Sequence, residues 1–149
     1  ETHAMAAAIA TMKVYRDEPV IERLYQQGQQ LAQGVESAIA NHGLGQHVRL
    51  MGRPCCLAYA TLDGDGEASQ AFRSLFLQET IRRGILMPSL VVSYTHSDTD
   101  IARTVEAIDG ALGIYARALN DGVETYLTGR PSQLVYRRFN SAPANPLTR

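Results

Sequence analysis

The sequence predicts an α+β domain in two layers, in which helices cover a small and mostly antiparallel sheet. Helix-like and strand-like segments alternate along the chain, but the strand-like segments are few and short. Turns rich in Gly and Pro separate them, and the sequence contains no internal repeat. Short strands joined by turns pair antiparallel, and they need a helical layer to bury one face of their sheet.

Two helices are predicted in the first third of the chain. Residues 4–15 are rich in Ala and Met without a helix breaker, so this helix should end near Asp17. Pro19 suits the first turn of the next helix, because its missing N–H would have no partner there. Beyond it, apolar residues recur with the helical period at Val20, Leu24, Leu31, Val35, Ala38 and Ile39.

The second helix contains two glycines, Gly28 and Gly34, which lower its intrinsic helix propensity by about 1 kcal/mol each relative to Ala. We expect close packing against a neighbouring element to be the reason for both. His42 and Gly43 are predicted to end the helix, since Gly adopts the left-handed C-terminal conformation without strain.

Residues 48–51 and 57–62 are predicted to be strands, with Gly52, Arg53 and Pro54 between them. Pro54 should lie at a strand start or an edge, because proline cannot donate to a ladder. The residues at 63–66 (DGDG) form a turn by composition. A calcium loop would need an acidic residue where Ser74 and Leu75 stand, so no calcium site is predicted.

Ser69 is predicted to cap a third helix that Gly84 closes, with an apolar face of Phe72, Leu75, Phe76 and either Thr80 or Ile81. Two short strands, at 85–87 and 91–94, are predicted on either side of the Pro88-Ser89 pair.

Ser97 and Asp100 resemble a capping box at the start of the last long helix. Its apolar stripe predicts that Ile108 and Leu112 lie in the core. Gly122 should end the helix, and the proline-containing tail from Val123 is expected to wrap on the surface or fray. The full stripe is Ile101, Val105, Ile108, Leu112, Tyr115 and Leu119.

Composition limits the classes of partner. Fourteen basic and fifteen acidic residues give a net charge of −1, so no overall field attracts nucleic acid or an acidic membrane. No apolar run approaches the roughly 20 residues that span a bilayer. Cys55 and Cys56 are adjacent, and neighbours on a strand point to opposite faces, so a disulfide between them is not expected. Free thiols without an export signal predict a cytoplasmic protein.

Taken singly, the polar residues predict no catalytic, cofactor-binding or metal-binding site. No glycine-rich phosphate loop is present. His42 and His47 are expected to be exposed loop residues, and His96 is expected to cap or hydrogen-bond locally rather than to catalyse. Lys13 is the only lysine of the chain, and we expect it to be a solvated helix residue.

Four stretches together resemble the C-terminal part of the class III pyridoxal-phosphate-dependent aminotransferases, and most closely the glutamate-semialdehyde aminomutase branch. Their order and spacing carry the resemblance, which covers about residues 1–119. The stretches are ETHAMAAAIATM at 1–12, VRLMG at 48–52, RGILMPS at 83–89 and YTHSDTDIART at 94–104.

The resemblance implies a division of the chain. Residues 1–18 would be the end of the large domain and the connecting helix, residues 19–122 the small C-terminal domain of a fold-type I enzyme, and residues 123–149 a tail. In this family the large domain carries the Schiff-base lysine and most of the cofactor contacts. The resemblance therefore implies pyridoxal phosphate in a longer enzyme and none bound by this segment. It also implies a missing N-terminal large domain, a homodimer and a small amino-acid-like substrate.

The resemblance further implies that Met87, Pro88 and Ser89 form one wall of the substrate cleft. Many members hold a substrate carboxylate with an arginine shortly after this position, but residues 90–94 contain none. That departure fits the aminomutase branch and argues against an ω-aminotransferase. Arg53 could hold the substrate carboxylate in place of that arginine. A salt bridge to an acidic side chain or a hydrogen bond to backbone is an equally good role for it.

A second hypothesis is a non-enzymatic binding or dimerisation module. The first helix carries an apolar stripe that needs a cover, either a partner or a second copy. The stripe consists of Ala4, Met5, Ala8, Ile9 and Met12.

Overall fold

The computed structural model describes residues 1–133 and confirms the predicted α+β class. These residues form four helices, one antiparallel strand pair and a short 3-10 helix. In chain order they are α1 (Thr2–Asp17), α2 (Val20–Asn41), β1 (Val48–Arg53), β2 (Cys56–Thr61), α3 (Gln70–Arg82), α4 (Asp98–Asp121) and the 3-10 helix (Val123–Thr125).

Helices α2 and α4 pack against each other and supply much of the core. The predicted stripe of α4 is confirmed, since Ile108, Leu112 and Tyr115 are fully buried. The close packing predicted for the α2 glycines is also confirmed. A Cβ on Gly34 would lie 2.5 Å from a methyl carbon of Val105, and one on Gly28 would lie 1.8 Å from the Pro54 carbonyl oxygen. The two glycines therefore let α4 and the β1–β2 turn approach α2 closely.

The strand pair runs from Val48 opposite Thr61 to Arg53 opposite Cys56. Its turn is Pro54-Cys55, so the sequence-based placement of the turn at residues 52–54 was wrong. Cys55 therefore lies in the turn and not on a strand, and the expectation that the two thiols point to opposite faces of a strand does not apply. Both cysteines are free, with Cys55 half-buried and Cys56 exposed.

The two short strands predicted around Pro88 are not present. Residues 85–92 contain neither helix nor strand, and their one ladder contact is an isolated antiparallel bridge between Leu90 and Leu57. Met87, Leu90 and Val92 are nevertheless buried. The apolar pattern that predicted strands reflects this core packing, and Pro88 lacks the N–H that a ladder would need.

Most predicted helix ends are confirmed, but Pro19 is the N-cap of α2 and precedes its first turn. The Ser69 hydroxyl accepts a hydrogen bond from the Phe72 N–H at 3.3 Å, and Ser97 and Asp100 form a complete capping box. Gly43 and Gly84 follow α2 and α3 with φ of 68° and 83°. On α3, the buried residue of the alternative pair is Thr80 and not Ile81.

The described start of the tail lies against α3, as the surface-wrapping prediction requires. The Thr128 N–H donates to the Gln78 side chain at 2.8 Å, and the Ser132 N–H donates to the Ser74 hydroxyl at 2.8 Å. The rest of the predicted tail, residues 134–149, lies outside the described residues.

Candidate functional site

The candidate site is the connection between α3 and α4, residues 85–92, which contains the Met87–Ser89 motif. Met87 is only 4% exposed and packs in the core, whereas Pro88 and Ser89 are exposed. Of the three residues that the resemblance assigns to a cleft wall, Met87 is thus the inward-facing support. Pro88 and Ser89 form the accessible surface.

Two side chains from other elements hold the backbone of this connection. The Tyr59 hydroxyl on β2 donates to the Met87 carbonyl at 3.1 Å, and an Arg73 Nη on α3 donates to the Pro88 carbonyl at 2.9 Å. The Arg73 guanidinium carbon also lies 5.1 Å from the centre of the Tyr59 ring, within cation–π range. We call Tyr59 and Arg73 the carbonyl anchor. The sequence analysis did not identify either residue.

The environment of the Tyr59 hydroxyl favours its protonated form. Burial raises the pKa of Tyr59 above its ordinary value, and the nearby charge of Arg73 opposes that rise. The phenol therefore remains a hydrogen-bond donor to Met87 throughout the neutral range.

A cavity of about 320 Å³ lies between the α3–α4 connection and the first turns of α4. Its lining combines apolar groups such as Met87 with the polar groups of Ser89, His96, Asp100 and Arg103. Hydrogen bonds from the Ser97 backbone and side chain lower the pKa of Asp100, which is thereby committed to the helix cap. The cavity can admit a small polar molecule beside Ser89.

His42, His47 and His96 make local structural hydrogen bonds. His96 accepts the Ser93 N–H at its Nδ1 (3.1 Å), and its own carbonyl accepts a hydrogen bond from the Gln27 amide, which confirms the predicted local role. His42 and His47 were expected to be exposed, but both are half-buried. Nε2 of His42 lies 3.0 Å from an Asp109 carboxylate oxygen, and His47 is held by the Asp63 carbonyl at 2.8 Å.

The only lysine does not fit the attachment of pyridoxal phosphate. Lys13 lies on α1, whose residues are all exposed, so its amine is not desolvated as a Schiff-base lysine requires. Arg53 is also exposed. Among residues 1–133, no three His, Cys, Asp or Glu side chains are grouped in a way that could hold a metal ion. No helix in that part of the chain is both long and apolar enough to cross a membrane.

The apolar stripe of α1 is exposed, as predicted. Met5, Ile9 and Met12 are 59%, 51% and 61% exposed, and no residue of α1 is buried. A hydrogen bond of 2.8 Å from the Tyr94 hydroxyl to the Glu18 carboxylate joins the residue just beyond α1 to the segment that precedes α4.

Curated relatives of the chain carry the name glutamate-1-semialdehyde 2,1-aminomutase. The protein from Desulforudis audaxviator (strain MP104C) is 30% identical over 118 residues, which cover 72% of this chain and 27% of the relative. The protein from Thermomicrobium roseum is 32% identical over 124 residues, which cover 76% of this chain and 29% of the relative. The chain thus spans less than a third of the length of these relatives. No family model matches it.

A solved structure gives the same relationship at the level of the fold. It is the pyridoxal-phosphate internal aldimine form of the FumI protein from Sphingopyxis sp. MTA144, with a TM-score of 0.65 and 26% sequence identity. The match covers 78% of this chain and 28% of that chain. This chain is therefore similar in sequence and in fold to a segment of pyridoxal-phosphate enzymes, with glutamate-1-semialdehyde 2,1-aminomutases among its curated relatives, which confirms the resemblance that its motifs predicted.

Proposed function

We propose that this chain is the small-domain segment of a pyridoxal-phosphate-dependent aminotransferase or aminomutase and supplies one wall of the substrate cleft. The observation that carries the proposal is the joint match to named aminomutases and to a pyridoxal-phosphate enzyme over 70% or more of the chain. Pyridoxal phosphate supplies such enzymes with an electron sink for amino-group chemistry. Since Lys13 does not fit its attachment, the role proposed for this chain is to bind and enclose the substrate.

The proposed wall is Met87, Pro88 and Ser89, of which Met87 and Ser89 line the cavity and Pro88 is exposed beside it. Ser89 offers a hydroxyl beside the cavity of about 320 Å³, and Arg103 offers a cation at the same cavity. A small amino-acid-like substrate has polar groups that suit both. The proposed division of the chain places residues 1–18 at the connection to a large domain, residues 19–122 in the small domain and residues 123–149 in the tail.

Steady-state kinetics of the native protein that contains this chain test the proposal. The assay follows conversion of glutamate 1-semialdehyde by NMR, because transfer of its amino group from C2 to C1 changes the connectivity without changing the mass. Ser89→Tyr should lower kcat/KM at least about tenfold by narrowing the cleft. The control, Gln29→Tyr on an exposed position of α2, should leave it within about twofold. If Ser89→Tyr has the kcat/KM of the wild type and an unchanged unfolding midpoint, Ser89 does not form part of the wall of the substrate cleft.

The exposed stripe of α1 favours a second function, a dimerisation module. Three large apolar side chains on one face of a helix that buries none of them are typical of an interface. A dimer that pairs this face would cover it, and so would a large domain in the same protein. Sedimentation equilibrium of the 149-residue chain at micromolar concentration, with and without residues 1–16, tests the module. A dimer that the truncation converts to monomer supports it, and a monomer in both forms contradicts it.

A further inference from the structure

Few backbone hydrogen bonds fix the α3–α4 connection. The Ile85 N–H donates to the Thr80 carbonyl at 2.9 Å at its start, and Leu90 forms an isolated bridge with Leu57, so the buried groups between them depend on side-chain donors. Met87 and Pro88 are consecutive, and each of their carbonyls has a side-chain donor from a different element. Because the Met87 and Pro88 carbonyls are both held, the direction of the backbone between buried Met87 and exposed Ser89 is fixed.

The two donors are coupled to each other. The Arg73 guanidinium lies over the Tyr59 ring at 5.1 Å, and the same ring packs edge-on against Phe76 at 5.2 Å with an interplanar angle of 63°. Phe76 therefore supports Tyr59, and Tyr59 supports Arg73. Loss of the ring would release the guanidinium as well as the hydroxyl, because a long side chain without support regains its rotamer freedom.

The charge of Arg73 has no acidic partner among the described residues. Arg23, which is also half-buried, pairs with Asp98 at 2.8 Å. Arg73 donates a hydrogen bond to the Pro88 carbonyl instead. A charged donor to a carbonyl is stronger than a neutral one, so Arg73 should contribute more to the anchor than Tyr59 does.

We infer that Tyr59 and Arg73 are positioning residues that hold Pro88 and Ser89 in the orientation the substrate cleft requires. This inference rests on the proposed function. It assigns the geometry of the cleft wall to a β2 residue and an α3 residue, neither of which forms part of the exposed wall that they orient.

The test compares Tyr59→Phe, which removes only the hydroxyl, with Arg73→Met, which removes the donor and the charge but retains an apolar stem. Tyr25→Phe and Arg117→Met are the matched controls. Tyr25 is half-buried and its hydroxyl makes no hydrogen bond to the described residues, and Arg117 lies 5.8 Å from the Tyr126 ring and donates to no carbonyl of those residues. All four variants are made in the native protein that contains this chain.

Two measurements are made on each variant. Backbone order parameters of the non-proline residues of 86–91, measured by 15N relaxation, should fall below the rigid value of about 0.85 in Tyr59→Phe and fall further in Arg73→Met, while those in α2 and α4 stay unchanged. With glutamate 1-semialdehyde as the probe, kcat/KM should fall about tenfold or more in both variants and stay within about twofold in the controls. The double variant should lose little more than Arg73→Met alone, because both residues act on one segment.

The outcomes separate the inference from the function on which it rests. Unchanged order parameters at 86–91 overturn the positioning role, whatever the kinetics show. Order parameters that fall equally across α2, α4 and 86–91 also overturn it, because the anchor is then a general stabiliser. Lower local order parameters with unchanged kcat/KM overturn both the role of the wall in the cleft and the positioning role. Lower local order parameters with reduced kcat/KM support both.

Discussion

Replacing Gly28 with Ala should destabilise the protein, although the same change in an open helix would stabilise it. An ideal Cβ at this position lies 1.8 Å from the Pro54 carbonyl oxygen and 2.3 Å from the Pro54 carbonyl carbon. Carbon–oxygen contacts require more than 3 Å, so the turn at Pro54 or helix α2 must move by over 1 Å. The obstacle is backbone and cannot rotate aside.

The net effect follows from two opposing free energies. Ala gains about 1 kcal/mol of helix propensity over Gly, whereas forced overpacking costs about 1–3 kcal/mol, and a clash with backbone places the cost in the upper half of that range. We therefore expect Gly28→Ala to lower the free energy of unfolding by about 1–2 kcal/mol. Gly113→Ala is the matched control, because it also lies within a long helix and its Cβ would stand 3.3 Å from a side-chain carbon of His42. That variant should gain up to about 1 kcal/mol.

Urea unfolding of the wild type and both variants measures these values from the midpoint and slope. A thiol reagent provides a second observable. Cys55 is half-buried in the turn that Gly28 contacts, so displacement of the turn should accelerate its modification, while Cys56 is already exposed. If Gly28→Ala is as stabilising as Gly113→Ala and the reactivity of Cys55 is unchanged, the β1–β2 turn does not pack on α2 as described.

Three further predictions follow from other residues. Leu112→Ala should cost about 2–5 kcal/mol because Leu112 is fully buried in α4, and an unchanged unfolding midpoint would contradict the helix-face assignment. Burial would raise the pKa of Glu79, but hydrogen bonds from Arg83 and Gln78 and the charges of Arg82 and Arg83 lower it below its ordinary value. Its carboxylate therefore stabilises the fold above the unfolded-state pKa, about 4, and this contribution is lost as the pH falls through the lower folded-state pKa. Glu79→Gln should flatten that acid limb in pH-dependent unfolding, and an identical limb would show that another group causes it. Borohydride reduction after mixing the chain with pyridoxal phosphate should leave Lys13 without a stoichiometric adduct in the mass spectrum, since its amine is solvated.

Local patterns predicted the helices well because their signals are local. The caps at Ser69 and Ser97 and the period of α4 each involve residues within a few turns of one another, and the structure confirms all three. The close approach at Gly28 was predicted only as a need for space, since its partner, Pro54, is 26 residues further along the chain.

The candidate site was only partly predictable for the same reason. The RGILMPS motif located the α3–α4 connection, but the alternation of apolar residues around Pro88 predicted strands that do not form. Periodicity records which side chains are buried and does not record which backbone groups are paired. The carbonyl anchor joins positions 28 and 15 residues apart, and no local signal distinguishes Tyr59 or Arg73 from other half-buried residues.

Strand β2 lies between helix α2, which its turn contacts, and the candidate site in the α3–α4 connection. One of its edges pairs with β1, and the turn that begins this pairing rests on Gly28 of α2. Its other edge meets the α3–α4 connection at the bridge from Leu57 to Leu90, and the Tyr59 hydroxyl donates to the Met87 carbonyl. The connection therefore covers this edge of β2 at Leu57. If Gly28→Ala displaces the β1–β2 turn, we expect strand β2 and its Tyr59 side chain to shift with it. The packing of α2 and the orientation of Pro88-Ser89 would then depend on the same short hairpin.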